Sequence, residues 1–238
     1  AARVAWQQAL GAEQSGASSL TAEVVLSQEA MTAMNIGLPD GTVTGAGIGQ
    51  LVLDFERGAV PRFKLTSDLA GVGLRIPELG WSLARDARGT LIVEGELGAV
   101  PRVDRLALDA PGLNATGRVT LNEGGGLNRA EFSRVQVGTW LDAPVTLVGR
   151  GQGVAPTVQV KGGVLDMRNL SLGTGGGGGA SAGGSPIEVT LDRLQITDTI
   201  ALTSMIGKFN TSGGLQGAFE GKVNGSASVT GQDRKSVV

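Results

Sequence analysis

Between Gly89 and Leu121 the chain reads GTLIVEGELGAVPRVDRLALDAPGLNATGRVTL, three short runs in which apolar and polar residues alternate. Leu91, Val93 and Leu97 fall in the first run, Leu106 and Leu108 in the second, Val119 and Leu121 in the third. Neighbouring side chains of a strand point to opposite faces, so each run predicts a strand that is apolar on one side and polar on the other. Gly-Ala-Val-Pro and Ala-Pro-Gly-Leu separate the runs. They predict turns, because Gly tolerates positive φ while Pro fixes φ and has no N–H.

Most of the chain follows the same rule. TVTGAGIGQLVLDF puts Leu51, Leu53 and Phe55 on one face, and RFKLTSDL does so with Phe63 and Leu65. LGWSLAR, RAEFSRVQV, PVTLVGRG, PTVQVKG and VLDMRNL continue the series. The total is roughly a dozen strands of five to eight residues, the grammar of an antiparallel meander. The expected fold is mainly β, a long curved antiparallel sheet of repeated β-hairpins. Strands about 4.8 Å apart give a sheet roughly 60 Å long for a dozen, and one that long must curl or fold over; curled, it encloses a trough.

One short helix is expected near residues 27–36, with Ser27 as N-cap, Glu29 in the first turn and a Gly37-to-Pro39 stop. Its Met31 and Met34 read as core filler. Residues 1–19 read as a connector, with Trp6 and Leu10 at helical spacing, and 20–172 as the repeated sheet. Residues 173–185 are a Gly-rich flexible loop, and 186–232 continue the sheet through Ile187, Val189, Leu191, Leu194 and Ile196. Asp233 to Val238 reads as a translated sequencing adapter, which makes 233–238 an expected non-native tail. A faint repeat links Gly58-Ala-Val-Pro-Arg62 to Gly98-Ala-Val-Pro-Arg102, with a looser copy at Gly153-Val-Ala-Pro-Thr157. Repeated units of this kind point to an elongated array.

Composition removes most chemistry. With no Cys and no His, disulfides, thiolate or imidazole metal sites and the usual Ser or Cys triads are unavailable. A net charge of −2 with 18% charged residues argues against a nucleic-acid partner. The 40 glycines and 3% aromatics leave little bulk for a dense sheet-on-sheet core. The Gly-rich run lacks the Gly-Lys-Ser/Thr of a phosphate loop and leads into a strand. Gly45-Ala-Gly47-Ile-Gly49 lacks a βαβ setting and reads as strand curvature. Glu94 and Glu96 share a sheet face, but it is the polar one, so they read as solvated charges rather than a glycosidase pair. Asp40, Asp54, Asp68 and Asp109 sit where acids serve turns, and no spacing matches a calcium loop. Neither catalysis nor a cofactor is expected.

The apolar face is the remaining candidate. As ordinary architecture it packs on a second layer; one short helix is a small cover for so many strands, which leaves the same sheet folded over, another chain, or lipid. The trough-lining residues expected from alternation are Leu91, Val93, Leu106, Leu108, Val119, Leu121, Val145, Leu147, Val158 and Val160.

The runs LALDAPGLNATGRVTL and VKGGVLDMRNL, the Gly-rich insert and PIEVTLDRLQITDTIALTSMIGKFNTSGGLQGAFEGKVNGSASVTG together resemble the AsmA-like superfamily. The similarity runs from about Leu20 to Gly231, nearest to the large envelope proteins related to YhdP, with TamB more distant. That resemblance implies an internal, periplasmic section of a protein anchored in the bacterial inner membrane. It implies a U-shaped β-groove that carries phospholipid between inner and outer membranes, with the membrane contacts made by other parts of the parent, and no catalytic residues. A secreted structural or adhesive β-repeat protein without lipid cargo is the alternative. A carbohydrate-active enzyme fits less well, because aromatic platforms for sugars are scarce.

Overall fold

In a computed structural model of the chain, residues 4–8, 17–33, 41–76, 79–123, 125–151, 154–169, 184–211 and 216–232 are described. They form eighteen strands and one short helix, so the protein is mainly β, as the alternation predicts. The chain divides into two compact units, residues 1–77 with 81–126, and residues 78–80 with 127–238.

The first unit holds β1 (Val4–Gln8), β2 (Ser18–Leu26), α1 (Gln28–Ala33), β3 (Val43–Gly45), β4 (Gly47–Phe55) and β5 (Arg62–Ser67). It continues through β6 (Val72–Ile76), β7 (Trp81–Leu83), β8 (Thr90–Glu96), β9 (Arg102–Ala110) and β10 (Leu113–Leu121). Its main sheet is an antiparallel meander in the order β1-β2-β4-β5-β8-β9-β10, and β3-β6-β7 make a second, smaller sheet. The small sheet repeats the order of the large one, because β3 leads into β4, β5 into β6 and β7 into β8. Three neighbouring strands therefore bend together and change layers, the way corners form in orthogonal packings.

Glycine permits that bend. Gly45 has φ +72°, and a Cβ on Gly71 would lie 2.5 Å from the Ala46 carbonyl oxygen. No L side chain fits where the two backbones cross so closely. The spaced glycines from Gly45 to Gly49 thus mark curvature. Leu69 (1% exposed), Val72 (2%), Val43, Trp81 and Leu83 are buried within this curl, as are Leu26, Ala110, Leu113 and Ala115 at the adjoining end of the main sheet. The Trp81 indole N–H donates to the Pro111 carbonyl at 2.9 Å and ties the curl to the β9–β10 turn.

One expectation is corrected here. Residues 4–8, read as part of a connector, are a strand that pairs with β2, placing Val4 opposite Ala22 and Trp6 opposite Leu20. Over so short a segment the two-residue period of Val4 and Trp6 competes with the helical spacing of Trp6 and Leu10, and pairing with β2 decides. Of the helix expected at 27–36, the described part is α1, six residues of which none is buried, and residues 34–36 lie outside the described residues. Ser27 does cap it, accepting from the Ala30 N–H at 3.3 Å. The Gly37-to-Pro39 stop, most of the Gly-rich loop and the 233–238 tail lie outside the described residues.

The second unit holds β11 (Leu127–Val137), β12 (Leu141–Val148), β13 (Thr157–Lys161), β14 (Val164–Asp166), a 3-10 turn at Met167–Asn169, β15 (Pro186–Gln195), β16 (Ala201–Asn210), β17 (Gln216–Val223) and β18 (Ala227–Gln232). It departs from the expected antiparallel pattern at one place. β13 and β14 run antiparallel to β12 but parallel to β15, so this sheet is mixed. Gly162 and Gly163, both with positive φ, kink the chain between β13 and β14. The Asp192 carboxylate accepts from the Gly163 N–H at 2.8 Å and holds the kink against β15. Leu191, Leu194, Leu202 and Met205 form the core, with Val160, Leu165, Val189, Phe209, Phe219, Val223 and Val229 packed around it.

Candidate functional site: the apolar sheet faces

Antiparallel register brings the alternating residues of the first unit into rows across the strands. Ala22, Leu51, Leu65, Val93 and Leu106 stand opposite one another in turn, and Leu20, Leu53 and Phe63 make a parallel row. All eight are half-exposed. Along β2, β9 and β10 the same face ends in Leu26, Ala110, Leu113 and Ala115, which are buried. The apolar face is therefore dry beside the curl and wet toward the hairpin turns.

The ten expected lining residues fall into two groups. In the first unit Leu91 stands opposite Leu108 and Val93 opposite Leu106, while Val119 stands opposite Val103. Leu121 closes β10 on the same side as Val119. In the second unit Val145 pairs with Val160 and Leu147 with Val158, and the row continues to Ile187 and Val189 on β15. All ten are half-exposed. Six of the ten therefore lie on the described face of the first unit and four on that of the second.

Alternation located these residues but passed over others. Val103 shares the face with Leu106 although three residues separate them, because the register slips between Glu94 and Gly95. Such a bulge adds one residue to one strand and shifts parity. Phe132 and Val135 are joined in the same way. Leu97, counted with Leu91 and Val93, lies beyond the end of β8 and is 42% exposed.

The reverse face of the first unit is an ion-pair ladder. Lys64 meets Glu94 at 2.9 Å and Arg105 meets it at 3.5 Å; Arg62 and Arg102 flank Glu96 at 3.7 and 3.2 Å. The hydrogen bond from Lys64 holds the Glu94 carboxyl below its ordinary pKa, with Arg105 adding to the effect. Glu94 and Glu96 are thus charges on the polar face, committed to cross-strand partners. A shallow recess of about 320 Å³ between Val25, Ile48, Asp68 and Ala70 lies nearby. Among the described residues no group of carboxylates is placed to hold a metal ion, and no helix is long and apolar enough to cross a membrane.

The two close copies of the repeat turn out to be neighbouring hairpin turns. Gly58-Ala-Val-Pro joins β4 to β5 and Gly98-Ala-Val-Pro joins β8 to β9, and since β5 pairs with β8 they share one edge of the sheet. The Leu97 N–H donates to the Pro61 carbonyl at 2.8 Å, from one copy to the other. Val60 (46% exposed) and Leu97 both face water at this edge. In the looser copy Gly153 is outside the described residues, and Val154 is also exposed.

Each of three phenylalanines lies over glycine on a neighbouring strand. Phe63 lies over Gly95, Phe209 over Gly217 as well as Gly207 of its own strand, and Phe219 over Gly231, so that a Cβ on any of these glycines would strike a ring. The rings fill space that the glycines leave on the apolar face. Few aromatics therefore cover much backbone.

No family model, no curated protein and no solved structure matches this chain.

Proposed function

We propose that the protein is a periplasmic section of an AsmA-like envelope protein anchored in the bacterial inner membrane, and that its apolar sheet faces shield phospholipid acyl chains in transit between the inner and outer membranes. The observation that carries this reading is the row Ala22, Leu51, Leu65, Val93 and Leu106, which crosses five strands without a polar side chain and stays half-exposed. Contiguous exposed apolar surface of this kind marks a binding face.

The energetics suit a mobile cargo. Each methylene removed from water contributes about 0.8 kcal/mol, so an acyl chain is strongly retained as a whole. The rows consist of similar aliphatic residues, so successive positions are close in energy and no single one traps the chain. The ion-pair ladder keeps its own part of the reverse face in water. Head groups stay hydrated at the rim, because moving a charged group into the apolar face costs far more than its tail returns.

The test is phospholipid in organic extracts of the purified protein, measured by mass spectrometry, beside a Leu106→Asp/Leu121→Asp variant of matched β content. Phospholipid in the native protein and its loss in the folded variant is the expected result. A folded, soluble, lipid-free native protein overturns the proposal in favour of the structural or adhesive reading.

A further inference from the structure

Asn224 and Gly225 form the one Asn-Gly pair in the sequence, and both are exposed at the β17–β18 turn. We infer that Asn224 is a deamidation site gated by the fold: the intact turn protects its side-chain amide, and opening of the hairpin commits it to irreversible conversion. This inference is independent of the lipid reading above.

An Asn followed by Gly is the pair most open to this reaction, because glycine puts no side chain in the way of its own backbone nitrogen. The Gly225 nitrogen gives up its proton to solvent base and attacks Asn224 Cγ. The N–Cγ bond forms, the Cγ–Nδ2 bond breaks, and ammonia leaves. Water then opens the five-membered imide at either carbonyl. One opening gives aspartate; the other gives isoaspartate, with the main chain rerouted through the side chain. Water is at hand, since both residues are exposed, and no oxidant or co-reactant is needed.

The fold restrains the reacting atoms. Asn224 has φ +47° and Gly225 φ +79°, and the Ser226 N–H donates to the Val223 carbonyl at 3.0 Å, the pattern of a type I′ turn. Asn224 Oδ1 accepts from the Ala201 N–H and Nδ2 donates to the Thr199 carbonyl, both at 2.9 Å. A third bond, at 2.8 Å, runs from the Asn224 N–H to the Ala201 carbonyl. These partners fix which way the amide points, because a backbone N–H needs an oxygen and a carbonyl needs an N–H. With both side-chain atoms engaged, Cγ is held toward the chain entering β16 and turns onto the Gly225 nitrogen only when they let go. The conversion is one-way. Aspartate at 224 has no amide donor for Thr199 and sets a charge against that carbonyl, while isoaspartate lengthens the main chain within the turn. Either product leaves the clamp between the turn and β16 unmade.

Incubation of the native chain in mildly alkaline buffer, beside a sample unfolded in guanidinium chloride, tests the gate. The tryptic peptide that begins at Val223 is followed by mass spectrometry, with fragment ions placing the amide-to-acid change at Asn224. Conversion is expected to be roughly tenfold or more faster in the unfolded sample, and the folded rate to climb with sub-denaturing guanidinium, as it does when a rare open form reacts. Equal rates in the two samples overturn the gate, and an Asn224 that stays intact when unfolded overturns the site. Amide hydrogen exchange of Asn224→Asp, which carries one of the two products, tests the consequence. Residues 199–203 and 223–227 are expected to exchange several-fold faster than in the native chain, and unchanged exchange overturns the loss of the clamp.

Discussion

Val93 and Leu106 stand directly opposite each other on β8 and β9, with Leu65 on the far side of Val93, and each of the three is half-exposed. Residues so placed are aligned like a core and solvated like a surface. Leu106→Ala therefore costs about 1 kcal/mol of stability, because part of its area is already in water. Leu202→Ala, at a position 4% exposed in the second unit's core, costs about 2–5 kcal/mol. Urea unfolding of both variants checks the ordering, and equal losses would mean that the Val93–Leu106 row is closed in solution.

Gly207 lies beneath the Phe209 ring, with the Phe219 Cβ close by. In Gly207→Val the new side chain occupies the space of the Phe209 ring, and overpacking of this kind costs about 1–3 kcal/mol. The Phe209 ring must give way, and the second unit is expected to melt earlier. Gly58→Ala is a contrasting case: a Cβ there meets nothing within 4 Å, and its cost is the backbone strain of φ +78° alone. Thermal unfolding followed by circular dichroism separates the two.

Glu94 links β8 to Lys64 on one side and Arg105 on the other, and its folded pKa lies below the ordinary carboxylate value. A lowered folded pKa gives stability that is complete above the unfolded value and disappears as pH falls through the folded one. Asp142, held low by Arg134, acts in the same direction in the second unit. Melting temperature is thus expected to be flat near neutrality and to fall in acid. In Glu94→Gln the acid decline is shallower, which a series of melts from pH 7 to pH 3 detects.

Asn224 opens the β17–β18 turn at φ +47°. Its side-chain oxygen accepts from the Ala201 N–H and its amide donates to the Thr199 carbonyl, both at 2.9 Å. Asn224→Gly keeps the backbone conformation and loses two hydrogen bonds, a cost of about 1–3 kcal/mol. Asn224→Ala loses the same bonds and adds strain at positive φ, so it is expected to be the worse of the two. The reverse order, in chemical denaturation, would show that the bonds do not hold this end of β16.

Alternation made the strands legible wherever it was unbroken, as in β8, β10 and β12. It failed where parity shifts: the bulges that join Val103 to Leu106 and Leu202 to Met205 cannot be read from a two-residue period. The curl escaped for a different reason. β6 reads VGLRI, short and glycine-bearing, and its identity comes from its place between β3 and β7 rather than from its own pattern. The expected shortage of cover over the sheet was correct about α1, which buries nothing. The layer that does cover part of the first unit is built from the sheet's own strands. The ten aliphatics share sheet faces as the pattern foretold, while Leu20 and Val103 joined those rows only through register.

The meander order of the first unit also bears on how the protein comes to be made. Each strand of its main sheet pairs with one that precedes it closely in the chain, so contacts are local and the sheet can grow hairpin by hairpin as the polypeptide emerges from the ribosome. The β13/β14 pairing with β15 breaks that rhythm. These parallel partners close a loop that spans the Gly-rich segment, and the entropy of loop closure must be met before their contacts form. During synthesis the first unit can thus be complete while the second still waits for β15. An insertion or deletion between Asn169 and Ser185 would then change the timing of assembly more than the stability of the finished sheet.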